Sequence, residues 1–168
     1  MDIMEQYDKV ASFGVMVEDG PSGRVMLGPG KRPIAVYALG KRERHLLARG
    51  SAAIARIFHA AGARSIYTQI RGFDELDTLA DIERLENALP CAHDMTMVGF
   101  HPLGTCRMGI DPDTSVVDSS YETHDVPGLY IVDGSVVPTS IAVNPQLTIM
   151  ALATRAGEIL APRFRQGT

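Results

Sequence analysis

The sequence predicts an α+β fold, in which an antiparallel sheet with helices is followed by one strand and one long helix. Short apolar runs separated by clusters of Gly, Pro, Ser and Asp fill the first forty residues, as is typical of antiparallel strands. Further along, apolar residues recur at intervals of three and four, which indicates amphipathic helices. A stretch rich in Gly, Pro and Thr begins after Cys91, so we divide the chain into 1–94 and 95–168.

Two or three short strands are predicted near the start of the chain, from the segments 15–17, 24–27 and 34–38. The segment 28–30 is interpreted as a turn rather than as a phosphate-binding loop. The chain has no Gly-x-Gly-x-x-Gly pattern, and Pro29 lacks the amide hydrogen that such a loop would use.

Two helices are predicted in the middle of the chain. The first covers residues 41–61, and Gly62 stands where a glycine commonly ends a helix. A short strand over 65–69 is expected next. The second helix ends at Pro90, and its apolar positions are Leu76, Leu79, Ile82, Leu85 and Leu89.

The last two elements are a buried strand and a long helix. The apolar run 129–132 predicts the strand, which ends at the turn pair Asp133-Gly134. The helix is predicted over 145–160, with Asn144 as its N-cap and Pro162 just past its end.

Composition excludes several classes of protein. The chain has 20 acidic and 16 basic residues and a formal charge of −4, without a basic block, which argues against nucleic acid as a partner. Its apolar runs are too short for a membrane span. The two cysteines do not form a disulfide framework, and the start does not resemble a secretory signal, so we expect a cytoplasmic protein.

A metal site is the competing interpretation of the region around residue 100. Two cysteines and two histidines lie within sixteen residues: Cys91, His93, His101 and Cys106. Their spacing matches no common zinc pattern, such as Cys-x-x-Cys or His-x3-His. We therefore predict no metal site.

Two separated motifs carry the most specific signal. The first is Phe-His-Pro-Leu-Gly-Thr-Cys-Arg-Met-Gly over 100–109, and the second is Val-Asp-Gly-Ser-Val-Val-Pro-Thr over 132–139, followed by Asn144-Pro145. In order and spacing they closely resemble the C-terminal signature of the glucose–methanol–choline (GMC) family of FAD-dependent oxidoreductases. The resemblance implies an enzyme that oxidises a small-molecule alcohol, with FAD as the hydride acceptor.

The resemblance places the catalytic base at His101 and a second substrate-binding group at Asn144. An alcohol proton is barely acidic, so its removal needs a base whose pKa lies near the working pH, and histidine meets that requirement. Asn144 is always neutral, which leaves His101 as the single titrating group of the pair. The alternative role for Asn144 is the N-cap of the following helix.

Asn144 and four further residues are assigned to the cofactor. A helix N-terminus has unpaired amides and partial positive charge, which would stabilise the negative charge that a flavin gains on reduction. Pro145 has no amide hydrogen, so the donors are Gln146 and Leu147. The resemblance assigns the backbone of Asp133 and Gly134 to the ribityl–pyrophosphate region of FAD, and the alternative is a plain turn that ends the strand.

FAD-dependent members of the family begin with a Gly-x-Gly-x-x-Gly loop, which this chain lacks. Residues 1–94 resemble part of the substrate-binding region, and the last strand and helix would complete an α/β FAD-binding domain. We therefore expect most of the FAD site on a separate flavin-binding chain or a missing N-terminal portion, and no activity from this chain alone. The alternative is a non-catalytic interaction subunit.

The substrate is indicated only coarsely. Apolar side chains precede His101 in the sequence and would line its approach: Met95, Met97, Val98 and Phe100. A sugar site should instead show several polar groups that satisfy hydroxyls. This favours an aliphatic or otherwise non-sugar alcohol.

Overall fold

Three α-helices and two separate two-stranded antiparallel sheets form in residues 3–20 and 23–165, which are the residues that the computed structural model describes. In chain order the elements are β1 (Arg24–Leu27), β2 (Pro33–Val36), α1 (Lys41–Ala60), β3 (Ile66–Tyr67), β4 (Glu75–Leu76), α2 (Leu79–Glu86) and α3 (Gln146–Arg165). Short 3-10 helices lie at Ile3–Lys9, Pro29–Lys31, Ala92–Asp94 and Gly134–Val136. The predicted α+β class is confirmed. Among the described residues, no helix is both long and apolar enough to cross a bilayer.

The chain divides into two compact units. The first unit consists of Met1–Val17 and Gly40–Thr96, and the second of Glu18–Leu39 and Met97–Thr168. The boundary after Thr96 lies two residues from the division that the sequence analysis placed after residue 94. The units also differ from that division because the hairpin of β1 and β2, within Glu18–Leu39, belongs to the second unit.

Helices α1 and α2 form the core of the first unit. On α1 the buried side chains are small, at Ala48, Ala52 and Ala55, so the backbone of α2 can approach closely. On α2 the buried side chains are Ile82 and Leu85. The spacing of four and three places each set on one face of its helix, as amphipathic packing requires.

The end of α1 confirms the predicted role of Gly62. This residue has φ +88°, and its amide donates to the His59 carbonyl at 3.0 Å. The Ala63 amide donates to the Phe58 carbonyl, also at 3.0 Å. These two bonds make a Schellman motif, in which the left-handed residue is favourable for glycine.

The strand predicted over 15–17 is wrong, because this segment is irregular and packs on α1 instead of pairing with a strand. A Cβ at Gly50 would lie 2.5 Å from Val15 Cγ1, so the glycine in the helix interior makes room for this contact. Phe13 adds an edge-to-face contact with Phe58, with ring centroids 5.3 Å apart.

The hairpin of the second unit confirms two predicted strands and their turn. Strands β1 and β2 pair antiparallel, with Arg24 opposite Val36 and Leu27 opposite Pro33. The second strand therefore ends at residue 36, two residues before the predicted end. The connection over 28–30 contains a glycine at φ +67° and a short 3-10 helix, in agreement with the predicted turn.

The predicted start of the second helix is wrong by three residues. Leu76 lies on β4 opposite Ile66 and is 1% exposed, so its apolar character reflects strand burial. The helix begins after a capping box, in which the Thr78 hydroxyl accepts from the Asp81 amide and the Asp81 carboxylate accepts from the Thr78 amide, both at 3.2 Å. Leu89 follows the end of α2 rather than lying within it.

The core of the second unit joins α3 to the loops that precede it. Four buried side chains form the cluster: Val117, Tyr121, Val136 and Ala156. The hydroxyl of Tyr121 donates to the Leu152 carbonyl at 2.8 Å, so this side chain ties the loop to the middle of α3. Loop and helix are thus held together by both apolar burial and a partly buried hydrogen bond.

The strand predicted over 129–132 is reduced to a single antiparallel bridge between Tyr130 and Glu122. The Ile131 amide donates to the Tyr121 carbonyl, but Leu129 is about half exposed at 48%. A buried strand needs backbone hydrogen bonds to neighbouring strands along its edges. Here the loop 121–123 supplies a short set of such bonds along one edge. The run is therefore apolar because Ile131 and its neighbour pack on the core cluster.

The predicted end of the last helix is also wrong, since α3 continues past Pro162 to Arg165. Proline removes one helical hydrogen bond, which normally favours an end. Here the final turn has contacts of its own. The Phe164 ring lies 6.1 Å from the Tyr130 ring in an edge-to-face arrangement, and Arg163 Nη1 lies 3.4 Å from Glu122 Oε2.

Candidate active site

The two sequence motifs lie side by side in the second unit. The Cys106 amide donates to the Ser135 carbonyl at 3.0 Å, and the Met108 amide donates to the Val136 carbonyl at 2.9 Å. These backbone bonds fix the loop of the first motif along the 3-10 turn of the second. The second half of the first motif therefore has a defined position despite its lack of regular structure, and His101 precedes it by five residues.

Gly104 makes the turn that leads from His101 into these bonds. Its φ is +77°, a conformation that side chains with a Cβ adopt at a cost. A Cβ there would lie 3.2 Å from the Pro138 carbonyl oxygen and 3.4 Å from that of Val137. Both the backbone angle and the close approach therefore require glycine.

Gly134 lets a third segment, helix α3, approach the two motifs. A Cβ at this position would lie 3.0 Å from Ile149 Cδ1 and 3.2 Å from Leu103 Cδ2. The space beside Gly134 is thus filled by side chains of this chain. Any cofactor contact at this residue must use its backbone.

His101 lies where two clefts of the second unit share part of their lining. The motif-side cleft, of about 340 Å³, includes Phe100, Asp133 and Gly134 in its lining. The helix-side cleft, of about 380 Å³, is lined by His101, Asn144, Pro145, Gln146, Ile149 and Met150. The structure therefore brings His101 and Asn144 to one cleft, with the first turn of α3 as its wall.

Asn144 is exposed and does not cap α3. The first helical bond runs from the Ile149 amide to the Pro145 carbonyl at 2.9 Å, so Pro145 occupies the cap position and Asn144 precedes it. Within the described part of the chain, the Asn144 amide makes no hydrogen bond. The alternative prediction of an N-cap role is wrong, and the prediction of Pro145 as the first helical residue is displaced by one position.

The imidazole of His101 is exposed and has no hydrogen-bond partner among the described residues. Its neighbour in sequence, Phe100, is 79% exposed and lines the motif-side cleft. A ring that is accessible and not engaged by the protein can accept a proton from a ligand.

The Asp133 carboxylate is engaged locally. Its Oδ1 accepts from the Ser135 amide at 2.7 Å and from the Ser135 hydroxyl, and so caps the 3-10 turn. This geometry matches the alternative interpretation of Asp133-Gly134 as a turn, although both residues line the motif-side cleft. Their assignment to FAD stays a prediction.

The first amides of α3 are available to a ligand. Across residues 3–20 and 23–165, the amides of Gln146 and Leu147 have no acceptor. Gln146 lines the helix-side cleft, whereas the Leu147 side chain is 79% exposed and lines neither cleft. Leu147 could therefore contribute only through its backbone.

Two residues of the helix-side cleft were missed by the sequence interpretation, namely Ile149 and Met150. They follow Pro145 and Gln146 by four positions, which places them on the same helix face one turn later. Helical periodicity from the assigned residues was the signal that could have identified them. Met95, by contrast, is buried, with only 9% of its surface exposed, and forms a β-bridge with Ile70 in the first unit. It therefore does not contribute to the cleft lining.

One cluster in the first unit has ligand atoms close together, at Cys91, His93 and Asp94, all within 4.8 Å of one another. His93 Nε2 lies 3.4 Å from Asp94 Oδ1, and the same carboxylate oxygen lies 3.5 Å from Arg71 Nη1. The cysteine and histidine are exposed, and such surface groupings are common without an ion. The absence of a metal site stays a prediction.

Comparisons with known proteins agree with the motifs. A family model described as GMC oxidoreductase, for the C-terminal domain, matches residues 22–153. A 2-methyl-1,2-propanediol dehydrogenase of Mycolicibacterium austroafricanum is 53% identical over 66 residues, which are 39% of this chain and 12% of that protein. A long-chain-alcohol oxidase of Arabidopsis thaliana is 28% identical over 162 residues, covering 89% of this chain and 21% of the relative.

Among solved structures, the chain is similar to pyridoxine 4-oxidase from Mesorbium loti, with a TM-score of 0.50 and 25% sequence identity. The match covers 81% of this chain and 26% of that one. The chain thus spans between about an eighth and a quarter of the length of these relatives. Members of the matched family are generally FAD-dependent. The chain belongs to the GMC oxidoreductase family and corresponds to the C-terminal domain of its members.

Proposed function

We propose that this chain supplies the catalytic base and one flavin-facing helix end for the FAD-dependent oxidation of a small-molecule alcohol. The observation that carries the proposal is the shared lining of one cleft by His101, Asn144 and the first turn of α3. Relatives whose names state that they act on alcohols support a CH–OH substrate.

His101 acts as the general base. Its unprotonated ring nitrogen accepts the hydroxyl proton of the alcohol, and its exposed and unbonded ring leaves room for the substrate oxygen. The Asn144 amide donates a hydrogen bond to the same oxygen and stabilises the negative charge that develops there. Because Asn144 does not ionise, His101 alone determines the protonation state of the pair.

The residues at the start of α3 fit the pyrimidine edge of a flavin. The amides of Gln146 and Leu147 are free to donate, and the helix dipole adds partial positive charge at this end. An FAD held by these groups would supply the acceptor for the hydride of the carbinol carbon. Asp133 and Gly134 contribute backbone atoms, because the Asp133 carboxylate is bonded to Ser135 and the side of Gly134 is packed.

The remainder of the FAD site lies on other polypeptide. The chain spans 12–26% of the relatives described above, and the groups assigned to FAD account for one edge of a large cofactor. We infer that a flavin-binding chain or a further N-terminal portion completes the site. The chain alone is then inactive, and "the flavin-loaded assembly" below denotes its complex with that polypeptide and FAD.

The test is His101→Ala in the flavin-loaded assembly. Loss of the general base lowers the rate of flavin reduction by alcohol by roughly 10² or more, because base catalysis contributes 10²–10⁴. His59→Ala, at a partly exposed position in the last turn of α1 and in the first unit, is the matched control and retains the wild-type rate. An unchanged rate in His101→Ala contradicts the assignment, and an assembly that never holds flavin favours the non-catalytic interaction subunit.

A further inference from the structure

The connection between the second motif and α3 carries Asn144. It begins after the buried Val137 and ends at Pro145, which is also buried. Among the described residues, those from 138 to 144 take part in no hydrogen bond. Within this chain, the direction of Asn144 is therefore determined by the two buried ends and by the backbone conformation between them.

Ala142 has an unfavourable backbone conformation within this connection. Its φ is +56°, in the left-handed region that costs energy for a residue with a Cβ. Two other non-glycine residues of the described chain have a positive φ, and each has a local cause. Lys31 lies in the turn between β1 and β2, and Tyr121 is held by its buried ring and by its bond to Leu152. Ala142 has neither cause, so we infer that the anchored connection itself imposes the conformation.

A second backbone restriction follows this bend directly. The residue before a proline is confined to an extended backbone, so Pro145 restricts Asn144. The chain bends at Ala142 and Val143 and then enters α3 through this restricted residue. The two restrictions together place Asn144 in the lining of the helix-side cleft, which His101 also lines.

We propose that Ala142 is a positioning residue for the reaction, and that its left-handed backbone directs the Asn144 amide into the helix-side cleft. The inference rests on the proposed function, in which that amide binds the substrate oxygen. Glycine adopts a positive φ without cost and would keep the bend. Valine, which is branched at Cβ, is strongly disfavoured there and would move Asn144 away.

The experiment compares Ala142→Val, Ala142→Gly and Asn144→Ala in the flavin-loaded assembly. Each is mixed anaerobically with ethanol, 1-butanol, benzyl alcohol and glycerol, and the limiting rate of flavin reduction is taken for the alcohol that reduces the wild type fastest. We expect Asn144→Ala to lower this rate roughly tenfold or more, through loss of a donor to the developing charge. Ala142→Val should lower it by a similar factor, and Ala142→Gly should stay within about twofold of wild type.

A double variant shows whether Ala142 acts through Asn144. In the Asn144→Ala background, Ala142→Val should change the rate by less than about twofold, because the group that it positions is already absent. Losses that multiply would overturn the inference, since Ala142 would then act on another group. The matched control is Ala35→Val, at an exposed position of β2 in the second unit, where an extended backbone suits a β-branched residue. This control behaves as wild type.

Urea unfolding of the chain tests the conformation without flavin or substrate. Because glycine relieves the cost of the positive φ, the equilibrium constant for unfolding should fall by up to roughly fivefold in Ala142→Gly. It should rise in Ala142→Val. A rise in Ala142→Gly would overturn the inference, even if Ala142→Val fails to fold.

Failure of the inference is distinguishable from failure of the proposed function. A wild-type rate in Ala142→Val, together with a slow Asn144→Ala, would overturn the inference alone. A wild-type rate in Asn144→Ala, or flavin reduction by none of the alcohols, would instead contradict the proposed function and with it the inference.

Discussion

The internal packing of the first unit differs in kind from that of the second. In the first unit, α1 and α2 pack through regularly spaced alanine, isoleucine and leucine side chains, and their ends are fixed by a Schellman motif and a capping box. In the second unit, the motifs are fixed by backbone bonds between loops and by glycines in close contact. The candidate site lies in the second kind of structure, where small backbone shifts move functional groups directly.

The largest effect is expected from Gly104→Ala in the second unit. The new Cβ would adopt an unfavourable φ and press on two backbone carbonyls, so we expect unfolding to be easier by about 2–4 kcal/mol. The matched control is Gly128→Ala, with φ +81° and open space around the Cβ. The control should lose about 1–2 kcal/mol, from strain alone. Equal losses in urea unfolding would show that the packing at Gly104 is unimportant.

A smaller effect is expected at the start of α2 in the first unit. Thr78→Ala removes the side-chain oxygen that accepts from the Asp81 amide, and should lower stability by about 1 kcal/mol. Thr78→Ser keeps the hydroxyl and should lose little. Thermal unfolding of the two variants measures the difference. Because the candidate site lies in the second unit, the rate of flavin reduction by the assembly should be unchanged in both Thr78 variants. A reduced rate would contradict the expectation that the cap of α2 does not affect the site.

The smallest effect concerns the pH dependence of stability in the second unit. Burial raises the pKa of Asp118, but bonds from Ser120 and from the Glu122 amide outweigh it, and the pKa lies below its usual value. A lowered folded-state pKa means that the carboxylate stabilises the fold above its unfolded pKa, about 3.9, and that this is lost as pH falls through the folded value.

We therefore expect the wild-type chain to lose stability in acid more steeply than Asp118→Asn does. Urea unfolding at a series of pH values below neutrality measures this difference. Parallel curves for the two proteins would show that the Asp118 carboxylate does not contribute.

The sequence was sufficient for features that depend on local pattern. The period of α1, the glycine that ends it and the β1–β2 hairpin are all local, and all three are found. The pairing of His101 with Asn144 was predicted from the resemblance of the two motifs to a family signature, and such a signature is visible without a structure. The structure then places both side chains on one cleft.

The errors share a physical cause, namely that burial and pairing depend on distant residues. Leu76 fits a helical period but is buried by pairing with Ile66. The run around Ile131 has the apolarity of a strand but is apolar because of a core formed with α3. Pro162 would end an isolated helix, whereas contacts of the last turn extend this one.

The cleft wall was missed for the same reason. Ile149 and Met150 look like ordinary helix residues until the loop of the first motif is placed beside them by Gly134. Sequence alone could give the side of the helix that they occupy, but not the loop that faces it.

Chemical rescue of His101→Ala by imidazole tests the central claim most directly. In the flavin-loaded assembly, the variant lacks a base beside the substrate oxygen, and free imidazole can enter the exposed position that the ring has left. We predict that added imidazole raises the rate of flavin reduction by roughly tenfold or more, and more so at higher pH where imidazole is unprotonated. If imidazole leaves the slow rate of the variant unchanged, or if the variant is as fast as wild type without it, His101 is not the base.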